Sequence, residues 1–112
     1  MTTPAEITRH LGRLATERAY SPRTLASYRA DLDLLRALVQ PDSHDDSPAP
    51  DWSRLDEAML RRWVAGCVRA GLSPRSIARR LSCWRGFLDQ LVLDGHLPAN
   101  PARGLRAPRA PR

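Results

Sequence analysis

Apolar residues recur along this chain at the spacing of helix faces, and no segment alternates as a half-buried strand would. Ile7, Leu11 and Leu14 predict a first helix over residues 5–18, with Pro4 in its first turn and Thr3 as its cap. Leu25, Tyr28, Leu32, Leu35 and Val39 form a single stripe over residues 22–40. Met59, Leu60, Trp63, Val64, Cys67 and Val68 predict a third helix over residues 56–70 with a wide buried face, Asp56 and Glu57 at its start and Gly71 at its end. Ile77, Leu81, Trp84, Leu88 and Leu91 mark a fourth over residues 74–94, ended by Gly95. The expected fold class is all-α, a compact bundle of four to five short helices.

The second and fourth helices open with the same phrase, S-P-R-T at 21–24 and S-P-R-S at 73–76. Serine caps the first turn, and proline at the first helical position has no N–H to leave unsatisfied. The phrase adds a cation and a hydroxyl to that start. Opposite the apolar stripe of helix two lie Arg23, Ala26, Ser27 and Ala30. Opposite that of helix four lie Arg75, Arg79, Ser82 and Gly86, with Ser76, Arg80 and Cys83 on one shoulder and Arg85 on the other. Small residues, hydroxyls and arginines are what a helix needs to approach a DNA groove.

Charge sharpens that picture. The 112 residues carry a formal net charge of +6, and every one of the 18 formally basic residues is arginine. The segments 71–88 and 95–112 contain arginine and no acid, whereas Asp42, Asp45, Asp46 and Asp51 gather in the Pro- and Ser-rich stretch 41–51. Basic blocks of this kind point to a polyanionic partner. The 41–53 stretch is expected to be a loop that faces away from it. After Asn100-Pro101 one helical turn is expected. Beyond Gly104 the Pro, Ala and Arg composition predicts an extended basic linker. The expected organisation is therefore a helical DNA-binding domain over 1–99 and a linker over 100–112 leading to a further domain.

Catalytic signals are missing. No Gly-rich phosphate loop, H-E-x-x-H or zinc-ligand spacing occurs, so no metal or cofactor is expected. Cys67 and Cys83 lack C-x-x-C spacing and read as small buried residues of a reducing compartment. No apolar run approaches the length of a membrane span, so no membrane partner and a cytoplasmic location are expected.

Glu17-Arg18, Ser21, Thr24, Tyr28, Asp31 and Leu32 make one pattern. Gly71, Ser76, Ile77, Arg80, Leu81, Ser82, Arg85, Phe87, Gly95, Asn100 and Pro101, followed by "APRAPR", make another. Together they resemble the N-terminal core-binding domain of tyrosine site-specific recombinases, the bacterial Xer type above all. The resemblance implies a SAM-like bundle forming the upper half of a clamp on double-stranded DNA. Its second and fourth helices would lie in the major groove of a recombination half-site. It also implies a C-terminal catalytic domain carrying the nucleophilic tyrosine. This chain would then bind and position without cutting, and neither Tyr20 nor Tyr28 would be a nucleophile. Partner recombinase subunits, XerD-like, would complete a tetramer on DNA, with helix one and residues 96–106 as candidate neighbour contacts. The DNA-binding residues implied are Thr24, Ser27, Arg75, Ser76, Arg79, Arg80 and Cys83, with Arg23, Arg103 and Arg106 on phosphates. Cys83 is a poor partner for a base, which shifts direct readout toward Arg79 and Arg80. The alternatives are the same domain in a phage or transposon integrase, or a helical protein-interaction module that binds no DNA.

Overall fold

The structure, a computed structural model, describes residues 4–41 and 49–108. Among these the order is α1 (Ala5–Glu17), α2 (Pro22–Val39), a short 3-10 turn (Trp52–Arg54), α3 (Glu57–Arg69) and α4 (Pro74–Leu93), with no strand. The fold class is all-α, as the periodicity predicts. The chain divides into two compact units at Arg54 and Leu55.

In the first unit α1 packs on α2, and α2 on the 3-10 turn. Ile7 and Leu14 of α1 are buried, as are Leu32, Leu35 and Val39 of α2. Leu25 and Tyr28, earlier in the same stripe, are half-buried. Tyr28 meets Tyr20 edge to face, with ring centroids 5.5 Å apart. α1 starts without the expected side-chain cap. Pro4 occupies the N-cap position, and the first turn rests on its carbonyl, which accepts from Ile7 and Thr8 at 3.1 Å. Thr3 lies outside the described residues. Between α1 and α2 the chain turns at Ala19, whose φ of 52° is in the left-handed region that favours glycine.

Part of the 41–53 stretch, expected to be loop, is a 3-10 turn. Residues 42–48 lie outside the described set, but Trp52 is only 4% exposed within the 3-10 turn. Asp51 holds that turn by accepting from the backbone N–H of Ser53 at 3.1 Å and from the Ser53 hydroxyl. Three residues are too few to show a period, so the turn left no pattern to read.

In the second unit α3 packs on α4. Asp56 caps α3 by accepting from Met59 N–H at 2.7 Å. The wide apolar face expected for α3 is covered only in part. Leu60 and Cys67 are buried, Met59, Trp63 and Val64 are half-buried, and Val68 is 51% exposed. All five residues of the predicted α4 stripe are buried, and Phe87 joins them. Trp63 and Trp84 link the two helices, with ring centroids 4.3 Å apart. Both helices stop the same way. Gly71 and Gly95 take φ of 85° and 84°. Leu72 N–H then reaches back to the Cys67 carbonyl at 3.0 Å, and His96 N–H to that of Leu91 at 2.8 Å. These six-to-one bonds satisfy carbonyls that the helix leaves open and fix where the chain departs.

Candidate nucleic-acid interface

The repeated phrase folds into two matching caps. Ser73 Oγ accepts from the Ser76 N–H at 3.1 Å and donates to Ser76 Oγ at 3.0 Å. Ser21 Oγ accepts from the Thr24 N–H at 3.1 Å and lies 2.9 Å from Thr24 Oγ1. Pro22 and Pro74 occupy the first helical positions. Ser76 accepts from Ser73, so its own hydroxyl proton can still be donated. One turn of each helix therefore presents a cation, Arg23 or Arg75, beside a hydroxyl held in place.

On α4 the predicted outward stripe is open: Arg75, Arg79, Ser82 and Gly86 are all exposed. One turn further along the same stripe stands Asp89. Asn100 Nδ2 donates to its Oδ1 at 2.8 Å, and Arg103 Nη2 lies 3.8 Å away. The stripe thus has two arginines near its start and a carboxylate at its far end that is already engaged. On α2 the corresponding positions Arg23, Ala26 and Ala30 are exposed, and Thr24 and Ser27 are half-buried.

The two units differ sharply in charge. Residues 55–112 carry eleven arginines and four acids, a formal +7, while residues 1–54 carry seven arginines and eight acids, a formal −1. The electrostatic attraction for a polyanion resides in the unit that contains α4.

The shoulder of α4 is less open than expected. Cys83 is 2% exposed, so its thiol is not at the surface; it is a small apolar residue in a helix whose buried arc extends through Phe87. Arg80 is half-buried, its guanidinium carbon 5.9 Å from the centre of the Trp63 ring. A cation over an indole face is attracted to it, which draws Arg80 toward the α3 side. Arg75 and Arg79 are the helix-four arginines that stand exposed.

Arg103 and Arg106 are both exposed, Arg103 within the turn expected after Asn100-Pro101 and Arg106 beyond Gly104. Ala102 and Leu105 are 0% and 5% exposed, and residues 101–104 form turns. Asn100 ahead of Pro101, the basis of that expected turn, turns the chain through its own side-chain bond. Asn100 Oδ1 accepts from Ala102 N–H at 2.8 Å. Arg85, read as a shoulder cation, is engaged with this segment and is the residue whose role the pattern did not reveal.

Among the described residues no group of three or more His, Cys, Asp or Glu side chains could hold a metal, and no helix is long and apolar enough to cross a membrane. The environment of Asp51 favours its ionisation. The Ser53 hydroxyl, then the Ser53 N–H, hold its carboxyl below the usual carboxylate range.

Comparison with known proteins agrees with the pattern of residues. The family described as phage integrase, N-terminal SAM-like domain, matches residues 7–95. Among curated proteins the chain is 41% identical over 107 residues to tyrosine recombinase XerC of Salmonella typhi, covering 96% of this chain and 34% of the relative. It is 46% identical over 99 residues to XerC of Serratia marcescens, covering 88% and 31%, and 42% identical over 99 residues to XerC of Yersinia pestis, with the same coverage. The chain spans about a third of the length of these relatives. No solved structure matches it. With 7–95 matched and the SAM-like fold class in place, the chain belongs to the family of phage integrase N-terminal SAM-like domains.

Proposed function

We propose that this chain is the DNA-binding module of a Xer-like tyrosine recombinase and grips one recombination half-site. The observation that carries the proposal is the α4 stripe: Arg75, Arg79, Ser82 and Gly86 exposed, with its one carboxylate, Asp89, engaged by Asn100 and Arg103. Small residues let the helix backbone come close to the groove floor, and arginine pairs with guanine or phosphate. Arg75 and Arg79 are the contacts proposed on α4, with Ser76 donating to phosphate; Arg80 approaches a base only if it leaves Trp63. On α2, Arg23, Thr24 and Ser27 take the lesser share because their unit has no net positive charge. Arg103 and Arg106 add phosphate contacts. Cys83 is dropped from the set because of its burial.

The reaction belongs to a catalytic domain that would follow. In this proposal the chain aligns its half-site for that domain and for a XerD-like partner subunit in a tetramer, and the biological outcome is resolution of chromosome dimers. The family description also fits the same module in a phage or transposon integrase. The target DNA separates the two: a chromosomal dimer-resolution site in one case, an attachment site in the other.

Binding to labelled duplexes as a function of salt tests the proposal. With Arg23, Arg75, Arg103 and Arg106 on phosphates, the log–log salt slope should be about −3.6, a roughly 150-fold loss of affinity between 50 and 200 mM salt. A half-site duplex should bind more tightly than random duplex. Failure to shift any duplex at micromolar protein and low salt would refute DNA binding and favour a module that docks an acidic protein.

A further inference from the structure

The segment after α4 is fastened to that helix by two residues. Arg85 donates from Nε to the Ala102 carbonyl at 3.2 Å and from Nη2 to the Leu105 carbonyl. Asn100 donates from Nδ2 to the Arg85 carbonyl at 3.1 Å and to Asp89 Oδ1 at 2.8 Å, and it accepts from Ala102 N–H. Each end of the latch therefore holds the other's backbone. Ala102 and Leu105 are buried beneath it. Arg103 lies between these two anchors with its side chain 82% exposed, and Arg106 follows the second anchor directly.

A guanidinium that bridges two carbonyls has spent the fork that would otherwise grip a phosphate. Arg85 is thus an unsuitable DNA ligand, although it stands in an acid-free basic segment. The consequence of its bonds lies elsewhere. Without them, residues 100–106 would have to be ordered on each encounter with DNA, and the entropy lost would offset what Arg103 and Arg106 gain. With them, both arginines stay near α4, and Asp89 is engaged from the same segment.

We infer that Arg85 and Asn100 are positioning residues for DNA binding: they latch the exit segment to α4 so that Arg103 and Arg106 act in concert with Arg75 and Arg79. This role rests on the DNA-binding reading above. Arg85→Lys should not restore it, because an ammonium cannot span both carbonyls as the planar fork does.

The test uses the full 112-residue chain with Arg85→Gln, Asn100→Ala, Arg106→Ala and the pair Asn100→Ala/Arg106→Ala. Asn100 lies outside the helices, so its variant carries the test if Arg85→Gln misfolds; circular dichroism reports retained helix. Trypsin cleavage of the Arg103–Gly104 bond, without DNA, should be at least about tenfold faster in Arg85→Gln and Asn100→Ala, since protection tracks local opening. In duplex titrations Arg106→Ala should lower the salt slope by about 0.9, and the latch variants by up to about 1.8. In the Asn100→Ala background, Arg106→Ala should then change nothing further. A merely structural latch would instead give additive losses, and that result, or cleavage as slow as in the native chain, would overturn the proposal. A native chain that is protected from trypsin but binds no duplex would overturn the DNA-binding reading and the positioning role with it.

Discussion

In the proposed DNA-bound arrangement Ser73 stands where helix stability and phosphate contact meet, and two substitutions pull these apart. Ser73→Ala removes the acceptor for the Ser76 N–H and the donor to Ser76 Oγ, bonds of 3.1 and 3.0 Å. Loss of such a cap costs about 1 kcal/mol, which lowers the melting temperature by roughly 4–8 °C in a unit of this size. Ser73→Asp keeps the acceptor, and its charge favours the helix N-terminus by about 0.3–1 kcal/mol. Its stability should equal or exceed that of the native chain. For DNA the order reverses. A carboxylate about 4 Å from a phosphate is repelled by about 1 kcal/mol in water and about 4 kcal/mol at a protein surface. Ser73→Asp should therefore bind duplex from about fivefold to several hundredfold more weakly, whereas Ser73→Ala loses less. Thermal melts followed by circular dichroism and anisotropy titrations at fixed salt give both quantities. The matching Ser21→Asp should weaken binding less, because its unit carries no net positive charge. A Ser73→Asp chain that binds DNA as the native chain does would refute placement of the α4 N-terminus against phosphate.

Arg79 and Arg80, adjacent in sequence, should behave differently. Arg79→Ala is expected to cost about 1–3 kcal/mol of half-site binding. Arg80→Ala should cost less binding but about 0.5–1 kcal/mol of stability, with altered tryptophan emission from lost contact with Trp63. Ala19→Gly should raise the urea midpoint at unchanged slope. Relief of the left-handed strain at φ 52°, about 1–2 kcal/mol, exceeds the roughly 0.5–1 kcal/mol entropic cost of glycine. Ser53→Ala should raise the Asp51 pKa toward the ordinary carboxylate value in a carbon-13 titration, because the hydroxyl bond is the leading cause of its depression. A depressed carboxylate adds stability above its unfolded pKa and loses it as pH falls through the folded one. The native chain should therefore shed that contribution on acidification, and Ser53→Ala, which keeps only the Ser53 N–H bond, should have less to lose.

Local rules were legible wherever a residue acts on its own neighbours. Ser21 and Ser73 cap as read, Pro22 and Pro74 start their helices, and Gly71 and Gly95 stop them. The α4 stripe was legible because five apolar residues repeat at one spacing and all five are buried. Periodicity names a face but not how far cover extends around it. Hence Val68, on an apolar face, is half exposed, while Cys83 and the carboxylate-bearing Asp31 are buried. The site followed the same division. Arg75 and Arg79 were read as outward-facing from the stripe, and both are exposed. The engagement of Arg85 with Ala102 and Leu105 joins positions 17 and 20 residues apart, and no local pattern encodes it. Arg80 was read on the shoulder of the stripe, and the Trp63 ring draws it partly inward.

The most direct measurement is a map of backbone amide shifts as duplex DNA is titrated into nitrogen-15-labelled chain at low salt. Contact through the α4 stripe predicts the largest changes at Arg75, Ser76, Arg79 and Ser82. Smaller changes should appear at Arg23 and Thr24, and Leu60, in the core, should stay still. Changes concentrated on α1, or none at all at saturating duplex, would contradict it.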